Sequence, residues 1–300
     1  MITTLTPNPC IDKTVAVEKF DIYKMNRVRV LRTDACGKGI NVSKILREFG
    51  LDSICLGFIA GRTGRMIKDM LEDLPSDFIE LQEGSSRINV KLHEGGILTE
   101  INGKGPDIGP GALDMLYKRL SGLKEDDLLI ISGSIPGSVT ESDLMRLGQF
   151  LNGKSIPFVA DSASSQAVCL MDFGPRLIKP NIDELSALFS KDIDPLDADL
   201  ILKAMTDLKA RGAEEVIVSA GSIGAYLLDK GGSFFFLTAP EGKAEDPVGA
   251  GDSMLAAYIA CKKRGLASDK ALETAVMAGS ACAFKIGLPT LEDIKRLSGT

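Results

Sequence analysis

Apolar residues along the chain come in two spacings that alternate. Ile2–Thr6, Ser53–Phe58, Leu128–Ser132, Pro157–Ala160 and Glu215–Ser219 are short apolar runs, as expected of strands. Between them apolar positions recur every three or four residues. This predicts helices at Ile40–Phe49, Gly64–Leu74, Glu141–Leu151, Leu200–Arg211, Ala250–Lys263 and Ala271–Lys285. Gly50 closes the first helix and Pro75 follows the second, each a residue that ends helices. Strands alternating with helices predict an α/β chain whose mostly parallel sheet is covered by helices on both faces.

Four further strands do not fit that rhythm. Thr14–Val17, Val28–Thr33, Arg87–Leu92 and Gly96–Ile101 lack a long helix at each crossover, and the last two form a hairpin around Glu94-Gly95. They are expected to form a separate small sheet. No internal repeat or low-complexity linker divides residues 1–300, which reads as one domain carrying this appendage. The acidic Asp192–Asp199 stretch reads as a solvated loop and helix start.

Composition narrows the function. The 300 residues are 44% hydrophobic and 25% charged, an ordinary globular balance. The formal net charge of -6 argues against a nucleic-acid footprint, while a few local Lys and Arg are enough to hold one phosphate. No apolar run spans a bilayer, and the N-terminus lacks a basic segment followed by an apolar one, so a cytoplasmic protein is expected. The six cysteines are scattered without a CxxC pair, which disfavours zinc and disulfides. With one histidine, His93, and no tryptophan, acid–base chemistry is expected to fall to a carboxylate or a lysine.

Gly249-Ala250-Gly251-Asp252 opens a predicted helix. Small residues let backbone N–H groups approach an anion closely, and the helix start adds unpaired donors and a positive dipole end. A carboxylate in the same turn could take a proton from an attacking hydroxyl, so the run suits phosphoryl transfer. The competing reading is that Asp252 only caps the helix. A second glycine turn, Asp34-Ala35-Cys36-Gly37-Lys38-Gly39-Ile40-Asn41, places a cation on accessible backbone, and its plainer reading is a tight strand-to-helix turn. No GxxxxGK[ST] run occurs, which excludes a P-loop, and no GxGxxG follows the first strand.

Together the two runs resemble the signatures of the ribokinase-like (PfkB) carbohydrate kinases, in the order that family has them. The resemblance covers the whole chain. It extends to Thr6-Pro7-Asn8-Pro9-Cys10-Ile11-Asp12, Ser132-Gly133-Ser134-Ile135-Pro136, Lys179-Pro180-Asn181-Ile182-Asp183-Glu184 and Ser219-Ala220-Gly221-Ser222-Ile223-Gly224. It implies a doubly wound α/β fold with a small β lid, ATP and Mg²⁺, and Asp252 as catalytic base. It also implies Gly249, Ala250 and Gly251 as an anion hole. Asn181 and Glu184, three apart on a predicted helix, would support magnesium and the ATP phosphates, with Glu184 acting on the metal indirectly. Lys179, Ser219, Gly221 and Gly224, with Gly249 and Gly251, would complete the nucleotide site. The plainer readings are a helix cap for Asn181 and Glu184, and an ordinary loop for Ser219–Gly224.

On the sugar side the resemblance gives Asp12 the grip on hydroxyls, a role suited to a carboxylate that accepts two hydrogens. Gly37, Lys38 and Gly39 form the loop beneath, and Asn41 and Asn89 could bond the sugar or the lid backbone. Lys38, Arg27 and Arg87 are the candidates for a phosphate already on the substrate, Arg offering a planar fork. The opening, the Gly37–Leu46 segment and the Arg87–Leu92 strand are most similar to members acting on phosphorylated ketohexoses. Fructose 1-phosphate is the implied acceptor, with tagatose 6-phosphate the alternative. A monovalent cation near Val248 and a homodimer through the lid are further implications. Two departures stand out. The family usually has two glycines before the lysine, and Cys36 takes the first place, so an altered loop is expected there. Ile135-Pro136-Gly137 stands where Pro-Pro-Gly is frequent.

Overall fold

The computed structural model describes residues 1–161 and 165–298. From the N-terminus come β1 (Ile2–Thr6), β2 (Cys10–Val17), β3 (Arg29–Cys36), α1 (Lys38–Glu48), β4 (Ser53–Ala60), α2 (Gly61–Met70) and β5 (Ile79–Leu81). Next are β6 (Arg87–Glu94), β7 (Ile97–Asn102), α3 (Pro110–Leu120), β8 (Leu128–Ser132), α4 (Glu141–Gly153), β9 (Phe158–Asp161), β10 (Leu177–Ile178) and α5 (Ile182–Phe189). The last third holds α6 (Ala198–Ala210), β11 (Glu215–Ser219), β12 (Gly224–Leu228), β13 (Phe234–Thr238), α7 (Ala250–Lys263), α8 (Ser268–Ala283) and α9 (Leu291–Ser298).

Nine strands make one sheet in the order β13-β12-β11-β10-β9-β8-β1-β4-β5, parallel except where β12 and β13 turn back at one edge. Side chains of the central strands alternate between two cores. Leu129 and Ile131 of β8 pack with α3 and α4 on one face, while Leu128 and Ile130 pack with α1, α7 and α8 on the other. Burial on both faces is why these strands read as continuous apolar runs. The chain winds outward from β1 in both directions, so the crevice for a ligand lies at the carboxyl ends of β1 and β8.

β2, β3, β6 and β7 form the separate lid sheet, in the order β3-β2-β6-β7. Four connections join it to the large domain: Pro7–Pro9 after β1, Gly37 before α1, residues 82–86 before β6 and residues 103–109 after β7. Ile11 and Ala35 at its base pack with Ile40, Ile59 and Ile67 of the large domain.

The structure differs from the pattern reading in several places. β2 starts at Cys10, four residues before the expected Thr14, because Cys10 is in register with both Cys36 and Arg87. α2 starts at Gly61 and ends at Met70, not Gly64 and Leu74. The chain turns straight from β4 into the helix at Gly61, whose φ of 62° suits glycine. α8 starts at Ser268, ahead of the expected Ala271. The pattern reading lacks β5, α3, β10, β12, β13 and α9.

Candidate active site

Gly249 starts α7 from the left-handed region at φ 87°, and a β-carbon there would come within 2.7 Å of Leu288 Cδ2. Ala250 N–H donates to Pro247 O at 3.1 Å. The next amides, of Gly251 and Asp252, are helix-start donors with no intrahelical acceptor. Gly251 makes room for a cation: Lys179 Nζ lies 3.1 Å from where its β-carbon would be.

Asp252 is the third residue of α7, and Gly249 is the cap, so the capping alternative for Asp252 does not hold. Its buried carboxylate instead accepts a hydrogen bond from Asn41 Nδ2 at 2.8 Å, joining α7 to α1. Burial, and then the negative charge of Asp161, push its pKa up to about 6; Lys38, the Asn41 bond and Lys179 pull the other way. A carboxyl in that range is placed to act as a base near neutral pH.

Asp161 was not anticipated. It is the last residue of β9, one position beyond the expected strand, and is 2% exposed. Ser132 Oγ, at the end of β8, donates to its Oδ2 at 2.8 Å, and Lys179 Nζ stands 3.3 Å from its Oδ1. Burial alone would raise this carboxyl, but the charges of Lys179 and Lys38 and the Ser132 hydroxyl outweigh it and hold the pKa below the usual value. A lone Asp ending a buried strand at the ligand end of the sheet was the available signal.

Lys38 is the first residue of α1, and its Nζ lies 3.8 Å from Glu184 Oε1. The charge of Asp161 raises its pKa first, with Asp252 and Glu184 adding and burial opposing. Lys38 therefore faces the carboxylates around the α7 turn. Gly37 and Gly39 beside it let α1 press onto the end of β1: β-carbons there would lie 2.5 Å from Thr6 Cγ2 and Thr6 Oγ1. Cys36 does not alter the loop as expected. It is the last residue of β3, paired with Cys10, and the left-handed bend falls on Gly37 at φ 144°.

On the lid, Asp12 Oδ1 accepts from Asn89 Nδ2 at 2.8 Å and from the Cys10 thiol at 3.0 Å. Gly103 N–H donates to Asn89 Oδ1 at 3.1 Å. Arg87 Nε donates to Asn8 O at 3.1 Å, leaving the rest of its guanidinium for other partners. Arg27 stands exposed before β3 and is not drawn into this cluster. Thr6 Oγ1, Asn8 Oδ1 and Asn41 Oδ1 are buried without a hydrogen-bond partner. Orphaned oxygens at the junction of lid and sheet fit a hydroxyl-rich ligand.

Asn181 and Glu184 form a capping box on α5: Glu184 N–H donates to Asn181 Oδ1 at 2.7 Å and Asn181 N–H to Glu184 Oε2 at 2.9 Å. Asn181 is thus the cap, as the plainer reading of this pair had it, and lies outside the helix rather than on a shared face with Glu184. Ser219 N–H donates to Pro180 O at 3.0 Å, bringing the next loop alongside. Gly221 has open space at its missing β-carbon, as an approaching ligand would need, whereas Gly224 is explained by the sheet: its β-carbon would strike Leu237 O.

Among the described residues no group of three or more His, Cys, Asp or Glu side chains could hold a metal ion alone. A divalent ion here would need oxygens from a bound phosphate. A cavity of about 500 Å³ opens at the opposite end of the sheet, beside Asp127, Arg176 and Lys262, away from this cluster.

The pfkB family carbohydrate kinase pattern matches residues 6–292. The chain is 36% identical to the 1-phosphofructokinase of Bacillus subtilis over 299 residues, 99% of this chain and 97% of that one. It is 34% identical to the D-tagatose-1-phosphate kinase of Bacillus licheniformis over 302 residues, 100% of this chain and 97% of that one. Phosphofructokinase-2 from Escherichia coli, solved with substrates and products, superposes with a TM-score of 0.91 at 26% identity, covering 99% of this chain and 98% of that one. The same protein has been solved with potassium and as a tetrameric inhibited form.

Proposed function

This chain belongs to the pfkB family of carbohydrate kinases, and from that premise we propose that it transfers the γ-phosphoryl group of ATP to O6 of fructose 1-phosphate, giving fructose 1,6-bisphosphate. The observation that carries the reading is the pairing of Asp252 with Asn41 beside the glycine turn, with Asp12 and Asn89 held ready on the lid.

Asp12, Asn41 and Asn89 bind sugar hydroxyls, and Asn41 thereby touches both the substrate and the base. Arg87 holds the phosphate already present, and Arg27, exposed on the lid, is a further candidate for it; Lys38, expected there from the sequence, instead faces Glu184, Asp161 and Asp252 on the side of the transferred group, on an α1 that Gly37 and Gly39 let press onto Thr6. Asp252 takes the proton from the attacking hydroxyl. Amides of the Gly249–Gly251 turn, Ala250 shaping it, face the charge that develops on the transferred group. Lys179, Asn181, Ser219, Gly221 and Gly224 line the nucleotide side. Mg²⁺ bound with the nucleotide would be supported by Glu184 and would neutralise charge on the β and γ phosphates. The potassium-bound E. coli relative supports a monovalent cation near Val248, where the buried Asp246 carboxylate supplies negative charge.

No helix among the described residues is long and apolar enough to cross a membrane, and the relatives' metabolic roles favour the cytoplasm. A homodimer through the lid is favoured by the apolar side chains exposed on and around it, including Ile22, Met25, Val30, Ile97 and Ile101. For the runner-up acceptor, tagatose 6-phosphate, the C1 hydroxyl would attack the γ-phosphoryl group instead. Steady-state ADP release with Mg·ATP and fructose 1-phosphate, tagatose 1-phosphate, tagatose 6-phosphate, fructose 6-phosphate and free fructose tests the reading. Fructose 1-phosphate should give the highest kcat/KM, and a tenfold preference for any other acceptor rejects the assignment.

A further inference from the structure

We propose that Asp161 is a positioning residue for phosphoryl transfer, fixing the Lys179 ammonium beneath Gly251 where the transferred group passes. The inference rests on the kinase reading above, though not on which sugar phosphate is the acceptor.

The geometry is specific. Asp161 lies between the ends of two neighbouring strands and is anchored to each, by Ser132 Oγ at 2.8 Å on one side and Lys179 Nζ at 3.3 Å on the other. Its backbone joins in, since Gly133 N–H donates to Asp161 O at 3.1 Å. Lys179 is 5% exposed, and among the described residues Asp161 is the carboxylate within ion-pair distance of it. The ammonium so held lies against Gly251, next to the helix-start amides. An anion drawn to those amides therefore meets Lys179 as well.

A purely structural role explains this poorly. Burying an ion pair costs desolvation that its attraction only partly returns, and packed apolar residues often serve stability equally well. Catalysis gives the pair a use. Asp161 holds the Lys179 ammonium in one place beside Gly251. Its charge also acts on Lys38, so one carboxylate steadies both cations flanking the turn.

The test is a double-mutant cycle on kcat with Asp161→Asn, Lys179→Met and the double variant. Asp161→Asn should lower kcat 10- to 100-fold and leave KM for the sugar phosphate within twofold. The double variant should be no slower than Lys179→Met alone. Removing the negative neighbour of Asp252 should also move the acid limb of the kcat/KM profile to lower pH, which loss of packing would not do. A folded Asp161→Asn enzyme with kcat within twofold of wild type, or losses that multiply in the double variant, overturns the proposal. If Asp161→Asn fails to fold, Ser132→Ala, which removes one anchor, takes its place: a smaller kcat loss with unchanged KM supports the inference, and unchanged kcat overturns it. The cycle uses whichever sugar phosphate the wild type turns over fastest, so failure of the fructose 1-phosphate assignment leaves it intact. A wild type inactive on every sugar phosphate sinks both readings.

Discussion

Replacing Asp252 by asparagine should abolish turnover and stabilise the fold at once, because the base is held in a place unfavourable to its charge. Its carboxyl titrates at about 6 in the fold against 3.8 for the free side chain. The folded chain therefore binds that proton more tightly than the unfolded chain does, and stability falls as pH rises from about 4 to about 6. Above that window the full penalty stands, up to about 3 kcal/mol. Asparagine has the same shape, still offers an oxygen to Asn41 Nδ2, and carries no charge to desolvate. At pH 8 the variant should melt up to ~5 °C higher than wild type, given the unfolding entropy typical of a chain this long. The difference should shrink as the buffer is taken towards pH 5. Its kcat should fall at least ~100-fold. Thermal melts at pH 5 and pH 8, paired with coupled ADP release at pH 8, measure both effects. A melting point at pH 8 equal to or below wild type refutes the electrostatic reasoning, and near-normal turnover refutes the assignment of the base.

Wild-type kcat/KM should drop about tenfold per pH unit below pH 6, as Asp252 takes up its proton; a flat acid limb down to pH 5 would contradict this. Gly249→Ala forces a side chain into the left-handed region and against Leu288, so urea unfolding should show a loss of about 1–3 kcal/mol along with reduced activity. Arg87→Ala should raise KM for the phosphorylated sugar while leaving KM for ATP unchanged, and equal use of unphosphorylated fructose by the wild type would remove the basis for that role. Gly251→Ala places a methyl group 3.1 Å from Lys179 Nζ without straining the backbone; kcat should fall at least tenfold with little change in melting point, measured side by side.

The large sheet was legible because its strands are buried on both faces and carry unbroken apolar runs, Leu128–Ser132 most plainly. The lid was legible from missing helices between its strands, a negative signal that survived errors in their ends. β12 and β13 were missed because they follow a glycine-rich turn and form an antiparallel edge, where no helix separates one strand from the next. The glycine turns and Asp252 carried local signatures. What Asn41 and Asp161 do was not legible, because their partners lie far off in sequence: Asn41 meets Asp252 across 211 positions, and Asp161 meets Ser132 across 29. At Asn181 and Glu184 the i, i+3 spacing allowed either a shared helix face or a helix cap, and the capping box is the one that formed. Cys36 misled, since one glycine, Gly37, carries the whole bend.

The Asn41–Asp252 bond also sets a timetable for synthesis. The lid, the Lys38 turn and Asn41 are all synthesised by Asn102, and Asp252 follows 150 residues later. At ordinary elongation rates that interval is roughly 8–30 s. Throughout it the nascent chain carries the sugar-facing half of the cleft without its base. Catalytic competence therefore arrives only with α7, and a truncated product ending before that helix would be inert however well its lid had folded.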